Sequence, residues 1–305
     1  MLIYLPIAEM PVAVLLILLV SGAVGFVSGM VGVGGGFIMT PALLFLGVPA
    51  PVAVATGASQ IAATSFSGIM TRTRRKSVDW RMGLLLSIGG VVGSAGGVAL
   101  FERLLRLGQL DLIVSVLYLI LLSGVGFLMV RESYQFWRGR PTKSVSVLRR
   151  PVKSIAHNLP FRIRFPRSGL YISVLPPLGI GFAIGALSAI MGIGGGFILI
   201  PAMIYLLRMP TNVVIGTSQF QVLVIASLIV VLQSIATQTV DLVLALLLMA
   251  GGVVGAQIGA RVGAGLKAEY VRGILGALLM AASIKFLLDL VIPPEEAYVL
   301  GAGMW

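Results

Sequence analysis

Apolar residues along this chain neither alternate nor form narrow helical stripes; they run on in blocks separated by short polar gaps. Ten blocks stand out, at roughly 11–33, 37–46, 52–70, 82–100 and 110–130, and then at 171–192, 197–207, 212–235, 242–262 and 271–292. Most approach the roughly 20 residues that carry a helix across hydrocarbon. The second block of each set of five is near ten residues, too short to cross alone. The pattern predicts a half-helix there, or one arm of a re-entrant hairpin shared with the third block. Glu9 precedes the first block, and no Lys or Arg does. A signal peptide needs a positive leader, so the first block is expected to be a retained span.

The two sets of five are copies. Gly32-Val33-Gly34-Gly35-Gly36-Phe37-Ile38-Met39-Thr40-Pro41-Ala42 returns as Gly192-Ile193-Gly194-Gly195-Gly196-Phe197-Ile198-Leu199-Ile200-Pro201-Ala202, identical at eight of eleven positions. Val78-Asp79 returns as Val240-Asp241, and Gly89-Gly90-Val91-Val92-Gly93 returns unchanged at Gly251 to Gly255. The offset drifts only from 160 to 162 residues. Three matches in order mark an internal duplication. The expected organisation is a first membrane repeat over 1–130, a linker over 131–170 and a second membrane repeat over 171–305.

Composition agrees with a membrane location. Apolar residues make up 58% of the 305 and charged residues 10%, against about 25% charged in an ordinary soluble domain. The mean hydropathy is +1.07. Too few charges exist to coat a water-facing surface, which excludes a soluble enzyme and a disordered chain. The net charge of +12 would point to nucleic acid on a soluble protein, but its placement gives another meaning. Residues 131–170 hold ten Lys and Arg and one acid, Glu132, leaving +3 for the remaining 265 residues. That stretch lacks the regular aromatic interleaving that base stacking uses, so no nucleic acid is expected. A second cluster, Arg72, Arg74, Arg75 and Lys76, fills a gap between blocks. Basic gaps mark the cytoplasmic side, so 71–79 and the linker are both expected there, the linker against anionic lipids.

In the second copy the bias changes sides. The counterpart of 71–79 is Gln233 to Val240, without charge, whereas the counterpart of 101–109 carries Arg261, Lys267 and Arg272. Glu295 and Glu296 then fall outside, and both termini are expected outside. The halves are therefore expected to be inverted relative to each other, a transporter signature. The expected fold is an all-α polytopic membrane protein of two inverted-topology repeats, with broken or re-entrant helices and eight to ten spans.

Candidate chemistry is neutral. A Gly-x-Gly-Gly-Gly run followed by Pro is a poor helix interior. Gly34, Gly35 and Gly36, with Gly194, Gly195 and Gly196, are read as unwound joints, with Pro41 and Pro201 in structural roles. Such joints expose amides and a positive helix amino end, which together hold an anion; the plain alternative is that the glycines permit close helix packing. Thr56, Ser59 and Gln60, with Thr217, Ser218 and Gln221, place polar groups in otherwise apolar helix. The four-residue spacing of Thr56 to Gln60 and of Thr217 to Gln221 puts each pair on one face. Their alternative role is interhelical hydrogen bonding. Asp79 and Asp241 open the fourth block of each half, where a carboxylate favours a helix amino end, and a capping role outweighs proton coupling. Lys285 and Asp289, four apart in the last block, pair internally. With no Cys, and His157 as the single His, no metal site, thiol catalysis or cofactor is expected. No nucleophile–base pair appears either, so the chain is not expected to be an enzyme. A transporter of another small solute remains the alternative in the same class, and a membrane scaffold that recruits a partner through its basic linker the alternative from another.

The paired Gly-x-Gly-Gly-Gly-Phe-x-x-x-Pro at 32–41 and 192–201, the Thr-Gly-Ala-Ser and Gly-Thr-Ser stretches near 56–59 and 216–218, and the Val-Asp and Gly-Gly-Val-Val-Gly blocks resemble the TauE/SafE sulfite exporter family, also called the toluene sulfonate uptake permease family. The resemblance covers nearly the whole chain outside 131–170. It implies a multi-pass transporter of a prokaryotic cytoplasmic membrane, moving sulfite, sulfonates or related organosulfur anions with coupling to an ion gradient, a proton among the possible coupling ions. It also implies that the glycine motifs and the polar helix starts after them form the substrate region.

Overall fold

The computed structural model describes residues 2–31, 36–74, 77–137, 162–165, 167–263 and 268–291. Gly34, Gly35, Arg75, Lys76, the middle of the basic linker, Lys267, Glu295 and Glu296 lie outside them. The ten apolar blocks are ten helices: α1 (Val14–Val31), α2 (Gly36–Phe45), α3 (Ala50–Arg74), α4 (Trp80–Arg106), α5 (Leu110–Trp137), α6 (Leu175–Met191), α7 (Gly196–Tyr205), α8 (Thr211–Ala236), α9 (Leu242–Gly263) and α10 (Ala268–Val291). Among the described residues, α4, α5, α8 and α9 are both long and apolar enough to cross a bilayer. The chain is an all-α polytopic membrane protein. α2 and α7 have ten residues each, about 15 Å at 1.5 Å per residue, half a hydrocarbon thickness.

Two features go beyond the block pattern. α5 continues past 130 to Trp137, and each half opens with a β-hairpin, β1 (Leu2–Leu5) with β2 (Met10–Ala13) and β3 (Arg162–Phe165) with β4 (Leu170–Ser173). β3 thus occupies the end of the stretch read as linker. Four-residue strands are too short to show a period of two against long helical blocks. The turns are repeats as well: Leu5-Pro6 aligns with Phe165-Pro166, and the left-handed Glu9 with the left-handed Gly169.

Small residues set the helix pairing. α1 packs along α9 and α6 along α4. A Cβ on Gly93 would strike the Phe182 carbonyl, and one on the matched Gly255 would strike the Gly22 carbonyl. Backbones come this close only where side chains are missing, the usual device for pairing helices in lipid. Contacts advance together along each pair: Gly22 with Gly255, Phe26 with Gly259 and Met30 with Gly263; Leu178 with Gly89, Phe182 with Gly93 and Ala186 with Gly97. Each pair is therefore parallel. α5 and α10 run antiparallel, with Gly126 at Met280 and Gly273 at Ser133. α3 runs with α9, Thr56 meeting Asp241 and Ser67 meeting Gln257. α8 runs with α4, Thr217 meeting Asp79 and Ile225 meeting Gly90. α3 and α8 are opposed, since Gly68 lies at Gln219 while Ile61 clusters with Val222 and Ala226. So α1, α3 and α9 point one way and α4, α6 and α8 the other.

Two buried carboxylates tie the halves together. Asp79 is the amino cap of α4 and accepts from Met82 N–H at 3.3 Å. Its other oxygen accepts from the N–H and the hydroxyl of Ser168, in the second hairpin, at 3.1 and 2.5 Å. Asp241 accepts from Leu244 N–H at 3.0 Å and from Ile7 N–H, in the first hairpin, at 3.0 Å. The N–H groups of the two aspartates donate to hydroxyls of the opposite half, Asp79 to Thr217 at 3.0 Å and Asp241 to Thr56 at 3.1 Å. Each aspartate thus fastens the hairpin and the polar helix of the other half.

Replacing Gly93 or Gly255 by Leu is expected to destabilise the protein by about 1–3 kcal/mol through overpacking. Gly96→Leu, whose Cβ meets nothing within 4 Å, should stay near wild type. Thermal unfolding of the three variants in detergent checks both outcomes.

Candidate functional site

The two helix breaks meet in the interior. At the second break, Gly192 ends α6 in the left-handed region (φ 67°, ψ 21°), and Gly194 and Gly195, both at φ 72°, carry the chain into α7. A side chain costs energy in that region, and only Gly visits it freely. Gly195 caps α7 with no side-chain hydrogen bond, and its carbonyl accepts from Ile198 and Leu199. The first amides of a helix have no acceptor within it, and they sit at the positive end of its dipole. At the first break, Gly36 opens α2. A Cβ there would strike both Ile61 and the Ile193 carbonyl, and a Cβ on Gly194 would strike Ile61 as well. Both joints therefore close on Ile61 of α3. The rings of Phe37 and Phe197, second residues of α2 and α7, stack with centroids 4.6 Å apart. Two short helices present their amino ends to one place.

Prolines add acceptors beside those donors. Pro41 and Pro201 lie inside α2 and α7 and have no N–H for the carbonyl four residues earlier. The carbonyls of Phe37 and Phe197 thereby lose their intrahelical donors.

The carboxyl end of α6 is held by side chains from three other helices. Tyr118 of α5 donates to the Met191 carbonyl at 2.5 Å, Thr40 of α2 to Gly192 at 3.3 Å, and Gln233 of α8 to Ala189 at 3.1 Å. Tyr118 and Thr40 are fully buried. Two of the matched positions of the other half offer no such donor, since Ile200 aligns with Thr40 and Leu279 with Tyr118. The two breaks share a sequence but not a set of partners.

The polar helix positions are distributed differently from the joints. Thr56 and Thr217 hold the aspartate amides of the opposite half. Ser218 turns back onto the Ile215 carbonyl, and Ser59 is buried on α3. Gln60 packs on Gly252 and donates to the Ser21 carbonyl at 3.2 Å, while Gln221 packs on the matched Gly90. The structure thus places the two glutamines in separate seams. Four glutamines of α3 and α8 carry buried atoms without a partner among the described residues: Oε1 of Gln60, Gln219 and Gln233, and both amide atoms of Gln221. Ser65, Ser87 and Ser188 have hydroxyls in the same condition. A buried polar group without a partner costs about 1–3 kcal/mol, so these atoms form the chemically unfinished part of the interior. Among the described residues no group of three or more His, Asp or Glu could hold a metal.

Sequence reasoning passed over Phe37, Phe197, Ile61, Tyr118, Thr40 and Gln233. The two phenylalanines were legible as repeated motif positions. Tyr118, a single phenol in an apolar block, carried a weaker signal, and Ile61 carried none.

Comparison with known proteins bears on what this interior is for. The family model described as Sulfite exporter TauE/SafE matches residues 17–286. A "Probable membrane transporter protein" of Xylella fastidiosa (strain 9a5c) is 30% identical over 242 residues, 77% of this chain and 79% of that one. Another of that name, from Xylella fastidiosa (strain Temecula1), is 28% identical over 270 residues, 87% of this chain and 91% of its own. The "Probable membrane transporter protein YunE" of Bacillus subtilis (strain 168) is 29% identical over 213 residues, 67% of this chain and 72% of its own. No solved structure gives a significant match.

Gly195→Ala forces a side chain into a left-handed position against Ile184 and is expected to cost about 1–3 kcal/mol. Gly179→Ala, in open space within α6, should be neutral or stabilising. Tyr118→Phe leaves the Met191 carbonyl without its donor, at about 1–3 kcal/mol. Melting temperatures in detergent report all three.

Proposed function

The chain belongs to the sulfite exporter TauE/SafE family and is a membrane transporter; on that premise we propose that it carries a small sulfur oxyanion, sulfite or an organosulfonate, by alternating access between two inverted halves. The observation that carries this reading is the convergence of the α2 and α7 amino ends at Phe37 and Phe197. Two helix dipoles directed at one buried place favour negative charge. Among the described residues, the side chains that meet the joint glycines are Ile61 and Ile184, so in this reading amides and helix dipoles hold the anion. The glycines of both joints, Gly34, Gly35 and Gly36 with Gly194, Gly195 and Gly196, let backbone amides approach the ligand.

Gln60 and Gln221, each with an unpaired carbonyl and Gln221 with an unpaired amide, complete the polar lining as the seams open. Ser59 and Ser218 stand beside them on α3 and α8. Thr56 and Thr217 act at the ends of the same helices, fastening the aspartates that join the halves. The opposed directions of α1, α3, α9 and α4, α6, α8 support inverted halves, as does the duplicated sequence with its swapped charge bias. In the proposed cycle the halves rock about the junction, and the stacked Phe37 and Phe197 rings close the path between the two sides. The Lys/Arg bias supports a cytoplasmic linker in a prokaryotic cytoplasmic membrane, with its basic residues against anionic lipid. Moving one negative charge out of a cell with a negative interior gains about 2.3 kcal/mol per 100 mV. Export of a monovalent anion therefore runs with the potential, and uptake needs a cation, such as a proton, carried with it.

Labelled sulfite or a labelled arenesulfonate, offered to sealed vesicles of either orientation, should show protein-dependent flux. No flux of any sulfur anion in either orientation rejects the substrate assignment. Gly195→Val should insert in the membrane but lose flux. Gln60→Leu and Gln221→Leu should raise the half-saturating concentration by more than tenfold with little change in melting temperature. Unchanged affinity in both glutamine variants would return them to helix packing.

A further inference from the structure

A cleft between α2, α5 and α10 lies beside the junction and has a different chemistry. It encloses about 320 Å3, within the size of small-molecule sites. Phe37 forms its floor, Pro41, Leu122 and Ala282 wall it, and Phe45 and Lys285 stand at its rim. Every lining residue except Lys285 is apolar. Such walls offer nothing to a small hydrophilic anion and suit a hydrocarbon chain.

The rim is built around one ammonium. Lys285 Nζ lies 4.1 Å from the centre of the Phe45 ring and 3.2 Å from Asp289 Oδ2. Both side chains of the ion pair remain about half exposed, 49% and 56%. Lys285 is six residues before the end of α10, close enough for its flexible stem to lift the charge towards the headgroup level. Around it, the exposed side chains of Leu278, Ile284 and Leu288 form an apolar surface that acyl chains suit.

We propose that this cleft holds one acyl chain of a glycerophospholipid, with the phosphate paired to Lys285 and the polar headgroup within reach of Asp289. The charge arrangement favours this occupant. An anionic phosphate joined to an amine or hydroxyl headgroup complements an adjacent ammonium and carboxylate better than a plain anion does. The chain lies against Pro41 and Phe45, so it braces the half-helix α2 from the lipid side. The inference depends on the membrane location and not on the substrate, so it stands or falls apart from the sulfur-anion reading.

The test uses the full chain in vesicles of phosphatidylethanolamine and phosphatidylglycerol, doped with a phosphatidylethanolamine carrying a diazirine midway along one acyl chain. After irradiation, mass spectrometry should map adducts severalfold enriched on residues 37–45 and 278–285 over the outward face of α9 at Leu246, Val254 and Ile258. Lys285→Ala should reduce that enrichment severalfold and Lys285→Arg should restore it. Ala282→Phe fills the cleft and should also reduce it; if that variant melts well below wild type, Ala42→Leu serves in its place. Equal labelling of α9 and α10, or labelling unchanged by the filling variant that folds, overturns the proposal. Displacement of the label by a soluble alkylsulfonate that is itself transported would make the cleft a substrate site and overturn the lipid assignment.

Discussion

Hydrocarbon supplies no hydrogen bonds, so every backbone group released by a broken helix must be met by the protein. That constraint organises the interior of this molecule. The end of α6 gives up its carbonyls near the middle of the fold, and Tyr118, Thr40 and Gln233 arrive from α5, α2 and α8 to take them. Three helices are thereby fixed relative to one break. The helix amino ends are treated differently. Their first amides lie beside two stacked phenylalanine rings, at the positive ends of two short helix dipoles.

The same constraint explains why the two halves do not fold as separate bodies. The amide of Asp79 is satisfied by Thr217 and that of Asp241 by Thr56, while each carboxylate holds the hairpin of the opposite half. The glycine seams cross the halves too, α1 with α9 and α4 with α6. A change in the relative position of the halves must therefore slide these seams or exchange these hydrogen bonds. Tyr118 and Phe286, stacked at 5.7 Å, belong to the apolar packing beside these contacts.

Duplication gives equal sequences to the two halves but not equal surroundings. Gln60 and Gln221 both pack on matched glycines, yet Gln60 finds the Ser21 carbonyl and Gln221 finds nothing. A few such differences make one break well tied and leave polar atoms unpaired elsewhere. A transport site needs that imbalance, because a fully satisfied interior has no use for a ligand.

Much of the fold was legible because its signals are local. Block length separates spanning helices from half-helices, Gly and Pro mark the breaks, and an internal repeat shows in the residues themselves. The candidate site was legible in part: the glycine joints stood out, and of the two roles open to Thr56 and Thr217 their hydroxyls make the interhelical hydrogen bond, accepting from the amides of the opposite aspartates. Nothing local distinguishes a threonine that faces a ligand from one that faces a backbone amide 185 or 138 residues away. The hairpins were missed because their eight strand residues per half are short and their partners distant.

By itself the sequence determined that the chain lies in a membrane, that it is doubled and where its helices break, since hydrophobic length, glycine and proline act within a few residues. Only the tertiary structure decided which helices pair, which half holds each aspartate and which polar atoms stay unpaired. Those outcomes depend on side chains meeting across more than a hundred residues, and in lipid the fit of small residues and the need to satisfy every buried polar group choose the partners.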